Sequence, residues 1–238
     1  MSKFLKEENN PFGLSVGDLM AALLLIFVLL LMATLLKLQK ERENVMEVAK
    51  EHLETKQNIY EDLNSEFIGY LKDGTVSIDS NTLMMRFISP KVEFASGEDD
   101  LNPYFKTLLN DFFPRYITIL EKYKKDLREI RIEGHTDTDY IWRGINEYFY
   151  NMELSQNRTR SALSHCLRMI YKDTSTYSWV KPLITANGLS SSKLILDKNG
   201  NEDSNASRRV EFRIRTNAEE KLDIIYSKYM ANNKNELK

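Results

Sequence analysis

Two motifs in the second half of the sequence carry side chains of opposite charge that could hold a small charged ligand. Asp137 closes the stretch EGHTD, and Arg158 closes the stretch NMELSQNR. A carboxylate binds an ammonium group, and a guanidinium group binds a carboxylate in bidentate fashion. If the two side chains converge, they would hold both ends of a zwitterion. A plain salt bridge between a sheet and a helix explains the same residues equally well.

A third candidate is Asp18, which lies near the start of an apolar run at 13–38. No further charged residue occurs before Lys37, and at about 1.5 Å per residue the run can cross a hydrocarbon core of about 30 Å. A charged side chain inside a membrane is costly and is therefore a functional candidate. Asp18 shares a helical face with Ser15 and Ala22, and such small faces pack against other protein. Alternatively, Asp18 caps the helix at the membrane surface.

The remaining residue types offer little for catalysis. The three histidines form no metal-spaced pair, and the single cysteine, Cys166, allows no disulfide within the chain. The sequence has no nucleophile elbow, phosphate-binding loop or dinucleotide fingerprint. The formal net charge of −2 gives no argument for nucleic-acid binding. We therefore expect no enzyme, no metal, no cofactor and no direct nucleic-acid contact. Cys166 is expected to be buried as a small hydrophobic residue.

The segments that position these residues begin with a short N-terminus at 1–11 and a transmembrane helix at 12–38. The apolar run lacks a signal-peptide cleavage site, so we expect a retained single-span anchor, although loop charges leave its orientation open. Residues 39–74 are predicted to form a helical connector. Its apolar residues alternate at spacings of three and four, which predicts either pairing with a second copy or a helix lying on its own domain.

Residues 75–218 are predicted to form an α+β domain with helices packed on one face of a mixed β-sheet. Alternating hydrophobicity predicts strands, the first of them as a strand or hairpin, in TVSIDSNTLMMRF, LREIRIEGHTD, PLITANGLSS and SRRVEFRIRT. Helical periodicity predicts one helix entered at Asn102-Pro103 and a second beginning at Asn151. The residues expected to face inward on the second helix are Leu154, Ala162, Cys166 and Met169. A charged tail at 219–238 follows, to which we assign no function.

The motifs that end at Asp137 and Arg158, together with SRRVEFRI at 207–214, resemble the peptidoglycan-binding OmpA-like domain over the whole predicted domain. In that family the Asp and the Arg of these motifs grip the free ends of diaminopimelate in the peptide stem. The resemblance implies this role for Asp137 and Arg158. It also implies that Asn151 and Leu154, in the first turns of the second helix, form a supporting wall.

The stretch VEFASGEDDL at 92–101 resembles the first strand-to-helix turn of that family, but two features depart from the family pattern. The segment after Asp137 is longer and aromatic, and Ser207 replaces the Asn that usually precedes the paired arginines. The aromatic residues Trp142, Tyr148 and Tyr150 could contact sugar rings or pack the loop onto the domain. The sequence leaves both alternatives open. Tyr150, directly before the second motif, is included among the predicted peptidoglycan-binding residues.

A single span containing D-L-M-x-A-L, joined by a helical connector to an OmpA-like domain, resembles the B subunit of proton-driven stators such as flagellar MotB. Within this class the chain looks most like the stator-like subunits of Zorya anti-phage defence systems. The resemblance implies that Asp18 accepts protons and that two copies sit inside a pentamer of MotA-like or ZorA-like A subunits. It also implies an inner-membrane location with a cytoplasmic N-terminus, a periplasmic domain and an indirect link to cytoplasmic defence effectors.

Two other functions remain open at this point. A flagellar-type stator subunit would be the same machine with another output. A passive OmpA-like cell-wall tether would use Asp18 only as a helix cap.

Overall fold

The computed structural model describes residues 11–88, 99–138 and 145–217, together with residues 224 and 227. The chain divides into two compact units, residues 1–49 and 50–238, and the division falls inside the first helix. This helix, α1, runs Pro11–Glu66. The described side chains of its apolar run are exposed. By length and composition α1 can cross a membrane, which fits a single-pass membrane protein.

The start of α1 bears on the position of Asp18. The helix begins at Pro11, and proline is well tolerated at a first helical position. Asp18 therefore lies about two turns inside the helix, at about 3.6 residues per turn. An N-cap residue stands before the first turn, so this start is not compatible with Asp18 as the cap of α1.

The second unit contains a five-stranded mixed sheet, as predicted. Its spatial strand order is β1-β2-β5-β3-β4. Strands β3 and β4 are parallel, and the other neighbouring pairs are antiparallel. The strands are β1 Val76–Asp79, β2 Met84–Phe87, β3 Leu127–His135, β4 Ile184–Gly188 and β5 Arg209–Thr216. The four stretches with alternating hydrophobicity therefore contain all five strands, since the first forms a hairpin.

The helices of the second unit agree less well with the sequence pattern. After α1 they are α2 Ile68–Lys72, α3 Pro103–Glu121, α4 Ile145–Ile170, α5 Thr174–Val180 and α6 Ser204–Ser207. The α3 start is as predicted, because Asn102 Oδ1 accepts a hydrogen bond from Phe105 N at 2.7 Å and Pro103 is the first helical residue. The predicted start of α4 at Asn151 is wrong, since α4 begins at Ile145. Tyr148, Phe149 and Tyr150, directly before Asn151, are thus helical. Helices α5 and α6 were not predicted.

The core lies between one face of the sheet and the helices α3 and α4. Ile130 and Ile132 of β3 point into it, and Ala162 and Cys166 of α4 are fully buried there, as predicted. Phe212 of β5 lies at the centre of an aromatic cluster, with ring centroids 5.4 to 5.6 Å from its nearest neighbours on β2 and α3. Aromatic pairs at these distances stabilise a core beyond the area that they bury. The helices therefore hold a fixed position over the strands.

The last turns of α1 belong to this same core. Two of its residues, Ile59 and Leu63, are fully buried there, and so is Phe67, which directly follows the helix. Arg115 of α3 donates to Glu66 Oε1 at 2.7 Å and holds this end of the helix in place. For this part of the predicted connector, packing on its own domain is the arrangement found, and the core begins before residue 75. Met46 and Leu53 of the same apolar seam are exposed, and their pairing with a second copy remains a prediction.

Candidate functional site

The candidate site is positioned by a very close approach of α4 to strands β3 and β4. A Cβ atom on Gly134 would lie 2.6 Å from Thr159 Cγ2, and one on Gly188 would lie 2.3 Å from Gln156 N. These distances are far below van der Waals contact, so only glycine permits the observed packing. The fully buried residue opposite Gly188 is Ser155, a small polar side chain.

This packing corrects one prediction about α4. Leu154 was expected to face inward, but it is only half-buried, whereas Ser155 and Thr159 are fully buried. Strands β3 and β4 each contribute a glycine to the contact, so α4 lies very close to them. This short distance accommodates small residues on α4 but not a leucine. Met169, further along the helix, does pack against the core as predicted.

Asp137 lies just beyond the end of β3, in a turn that several hydrogen bonds fix. Thr136 N donates to Ser190 O at 3.0 Å, and Ser190 N donates to Ser155 Oγ at 3.1 Å. These bonds join the end of β3, the turn after β4 and helix α4. The Asp137 side chain is 7% exposed and accepts a hydrogen bond from Arg208 Nη1 at 2.6 Å. The carboxylate is thus buried at the rim of the sheet and already compensated by one guanidinium group.

Arg158 faces the same site from α4. It is buried, and burial lowers the pKa of its guanidinium group to about 10. The negative charge of Asp137 opposes this effect, as do Tyr150 and Asp99, whereas Arg208 adds to it. Because a pKa of about 10 is still well above neutral pH, Arg158 carries its charge under physiological conditions. The structure therefore brings Asp137 and Arg158 into one electrostatic environment.

The other predicted site residues lie around this pair. Asn151 is buried, and its Nδ2 donates to the backbone carbonyl of Asp137 at 3.3 Å. Tyr150 is half-buried and close enough to Arg158 for its phenolate form to act electrostatically on the guanidinium group. Because α4 begins at Ile145, Asn151 stands in its second turn and not at its start.

The aromatic stretch before α4 is only partly described. Tyr148 is exposed, and its backbone carbonyl accepts a hydrogen bond from Ser190 Oγ at 3.0 Å. This bond ties the first turn of α4 to the turn after β4. Trp142 and most of the stretch at 92–101 lie outside the described residues.

Two residues of the site were missed by the sequence reasoning. Arg208, one of the paired arginines before β5, bonds directly to Asp137, and a second guanidinium nitrogen donates to Asn205 Oδ1 at 2.6 Å. Glu202 accepts hydrogen bonds from both the backbone and the hydroxyl group of Thr138. The RR pair was a visible signal for Arg208, but only the fold shows which of the two arginines turns towards Asp137.

Ser207 explains one departure from the family pattern. Its hydroxyl oxygen accepts a hydrogen bond from Ile195 N at 2.9 Å, and the residue is fully buried. It thereby ties the long loop after β4 to the start of β5. The replacement of Asn by Ser at this position keeps a side chain that fixes the loop.

The opposite face of the sheet carries a charged network that the sequence reasoning also missed. Glu133, His135 and Glu211 offer ligand atoms within 4.8 Å of one another, a grouping that can in principle hold a metal ion. However, Glu211 accepts hydrogen bonds from Arg86 at 2.7 Å and Arg209 at 2.6 Å. Since arginine already balances this carboxylate, we assign the cluster to the charged sheet face and not to a metal site. No histidine pair in the sequence signals it, because its members come from two neighbouring strands.

The candidate site has the chemical groups to bind a charged ligand. It presents a buried carboxylate and a buried guanidinium group on elements locked together by the glycine contacts. An ammonium group would share Asp137 with Arg208, and a carboxylate would meet Arg158. This is the charge pattern that a zwitterionic ligand requires.

Comparison with solved structures identifies the fold. The chain is similar to the crystal structure of a MotB-like protein from Desulfovibrio vulgaris, with a TM-score of 0.50 and 21% identity, over 70% of this chain and 94% of that one. At this identity the likeness concerns the fold alone. The fold is thus that of a MotB-like protein, as the sequence motifs predicted.

Comparison with curated relatives goes further, although no family model matches the chain. The chain is 43% identical to the Zorya protein ZorB of Escherichia coli strain Crooks, over 90% of this chain and 92% of the relative. It is 26% identical to the Zorya protein ZorB of Escherichia coli O139:H28, over 87% of this chain and 81% of the relative. The chain belongs to the ZorB family.

Proposed function

We propose that this chain is the B subunit of a proton-driven, peptidoglycan-anchored motor that acts in Zorya-type anti-phage defence. Membership of the ZorB family is the observation that carries the proposal. Two features of the chain support it. A membrane-length helix contains a carboxylate about two turns from its start, and the folded unit presents a buried pair of opposite charges.

Asp18 is proposed to carry protons. Desolvation favours the neutral form of a carboxyl group, so a proton can bind and leave as access alternates between the two sides of the membrane. Each proton that crosses releases about 2.3 kcal/mol per 100 mV of membrane potential. The remaining residues of the ion path are proposed to come from a pentamer of ZorA-like or MotA-like A subunits that surrounds two copies of this chain.

Asp137 and Arg158 are proposed to anchor the complex to peptidoglycan. Diaminopimelate in the peptide stem carries an ammonium group and a carboxylate on its free end, and these match Asp137 and Arg158. Asn151 donates a hydrogen bond to the backbone carbonyl of Asp137 and supports its position. The half-buried residues Tyr150 and Leu154 are proposed to line the approach from α4. Because both charged groups are buried, the contact is expected to be stronger than a pair at the surface.

The location follows from the ligand. Peptidoglycan lies outside the inner membrane, so the folded unit is proposed to be periplasmic and the N-terminus cytoplasmic. Cytoplasmic defence effectors would then respond to the motor without contacting this chain directly.

The test combines phage plaquing with binding of the full-length protein to purified cell-wall sacculi. Asp18→Asn keeps the size of the side chain but cannot cycle a charge. It is expected to abolish protection while sacculus binding stays normal. Arg158→Ala is expected to lose both protection and sacculus binding. Glu47→Gln, at an exposed carboxylate of the same helix outside the apolar run, is the matched control and should keep both.

Three results would contradict the proposal. Full phage protection by the Asp18→Asn variant at normal protein levels would contradict the proton-carrying role of Asp18. The chain would then be interpreted as a passive cell-wall tether. Normal sacculus binding by Arg158→Ala would remove the peptidoglycan role of the buried pair. Absence of protection by the intact wild-type system would contradict the defence role, and the same variants would then be tested for motility.

A further inference from the structure

A groove with a volume of about 370 Å³ runs beside the candidate site, between α3 and α4. This volume falls within the range of roughly 300 to 1,000 Å³ that is usual for small-ligand sites. Its lining is polar and mostly basic: Asp100, Leu101, Lys106, Arg160, Ser161, Ser164, His165 and Arg168. None of the predicted site residues belongs to this set.

The groove continues the helix row on which Arg158 stands. Ser161, His165 and Arg168 follow Arg158 at spacings of three, four and three, so the four residues lie along one face of α4. Arg168 lies ten positions after Arg158, which corresponds to about 15 Å along the helix axis at about 1.5 Å per residue. An extended peptide covers this length in roughly four residues. A peptide held at Arg158 can therefore lie along the groove.

A second contact links the two sites through the entry of α3. Asp99 acts electrostatically on Arg158, and the next residue, Asp100, lines the groove. The candidate site and the groove therefore both adjoin the short segment that leads into α3.

The two walls of the groove are held together by His165. Its Nε2 lies 2.9 Å from Asn110 Oδ1 of α3, one helical turn beyond Lys106. Burial lowers the pKa of His165, and the charges of Lys106 and Arg168 add to this effect. His165 is therefore neutral at pH 7 and serves as a structural contact. The charge of the groove comes from its lysine and its two arginines.

These three cations leave the groove with a net positive charge. The structure shows no ion pair for Lys106, Arg160 or Arg168 within the ranges that it describes. Asp100 is the one carboxylate among the lining residues. Arg115 of α3, by contrast, forms ion pairs with two carboxylate groups. Unbalanced cations next to two serine hydroxyl groups suit an oxyanion.

We propose that this groove binds the carboxylate of the stem-peptide residue that adjoins diaminopimelate, and so extends the peptidoglycan contact along α4. This inference rests on the proposed peptidoglycan role of Asp137 and Arg158. In many peptidoglycans that neighbouring residue is an isoglutamate with a free α-carboxylate, and some cell walls carry it as an amide. The groove therefore makes binding sensitive to this modification.

The test measures dissociation constants of the full-length protein in detergent for four probes. The first three are free diaminopimelate, a diaminopimelate-containing stem tetrapeptide with a free isoglutamate carboxylate, and the same peptide with that carboxylate amidated. The fourth probe is inorganic phosphate. The wild type is expected to bind the free peptide about three- to tenfold more tightly than the amide, as for one or two partly exposed ion pairs. Lys106→Gln combined with Arg168→Gln should remove this preference and leave the affinity for diaminopimelate unchanged. Lys72→Gln, at an exposed cation away from the groove, is the matched control.

The outcomes separate this inference from the proposed function. Equal affinity of the wild type for the two peptides would overturn the groove proposal, and so would a preference that survives in the double variant. Binding of inorganic phosphate that the double variant loses, without any preference between the peptides, would assign the groove to a phosphate group instead. Loss of diaminopimelate binding in Arg158→Gln alone concerns the proposed function, since that residue does not line the groove.

Discussion

Gly134→Ala is expected to destabilise the folded unit through steric overlap with helix α4. The added Cβ would lie 2.6 Å from Thr159 Cγ2 and 3.0 Å from Ser155 O. Carbon atoms in contact are normally about 3.5 to 4.0 Å apart. Either helix α4 or the Thr159 side chain must therefore move by about 1 Å. Overpacking of this kind costs about 1 to 3 kcal/mol. For a chain of this size that corresponds to a fall in Tm of about 2 to 12 °C.

The assay is thermal unfolding of the full-length protein in detergent, followed by tryptophan fluorescence, with Thr159→Ser as the second mutation. Thr159→Ser deletes the methyl group that overlaps with the new Cβ atom. Gly134→Ala should therefore lower the free energy of unfolding by less in the Thr159→Ser background than in the wild type. We expect a coupling free energy of about 1 kcal/mol in the double-mutant cycle. The rescue should be partial, because the contact with Ser155 O remains.

Two other glycines provide the controls. Gly188→Ala would meet the backbone nitrogen of Gln156 at 2.3 Å, so deletion of the Thr159 methyl group should not relieve it. Gly69→Ala meets nothing within 4 Å and should be neutral or slightly stabilising in its helix. If Gly134→Ala lowers the free energy of unfolding equally in the wild-type and Thr159→Ser backgrounds, the steric argument for this contact is refuted.

Two further predictions concern buried polar groups. The Tyr116 hydroxyl group is buried without a hydrogen-bond partner among the described residues. Tyr116→Phe should therefore stabilise the protein by about 1 kcal/mol, and a lower Tm would contradict this. For Glu211, burial raises the pKa, but His135, Arg209 and Arg86 outweigh burial and hold the pKa well below its ordinary value. Because the unfolded pKa is about 4.3, this stabilisation is present above about pH 4.3 and lost as the pH falls further. Glu211→Gln should flatten the fall of Tm in acid, and an unchanged profile would contradict the assignment.

Prediction from the sequence was strongest where a repeating pattern had one physical cause. Alternating apolar residues revealed the five strands, since one sheet face is buried. The Asn102-Pro103 pair marked the start of α3, because a cap and a first-turn proline are local signals. The predicted start of α4 was wrong, because the aromatic residues before Asn151 were interpreted as part of a loop. Helix propensity differs little among such residues, so tertiary contacts decided the boundary.

For the candidate site, the sequence determined the residue types and the fold determined their relations. The motifs identified Asp137, Arg158 and Asn151, and the apolar run identified Asp18. Only the tertiary structure joins Arg208 to Asp137 and brings the charged pair into one environment. It also reveals the groove beside the pair, whose cations come from two helices.

The physical reason is the range of the interactions. Hydrophobic periodicity, helix caps and membrane length are local and can be read along the chain. Charge balance, close packing at Gly134 and Gly188, and the neighbours of a buried side chain depend on residues far apart in sequence. These contacts exist only after strands and helices have packed, so the sequence determined which groups are present and the tertiary structure determined how they act together.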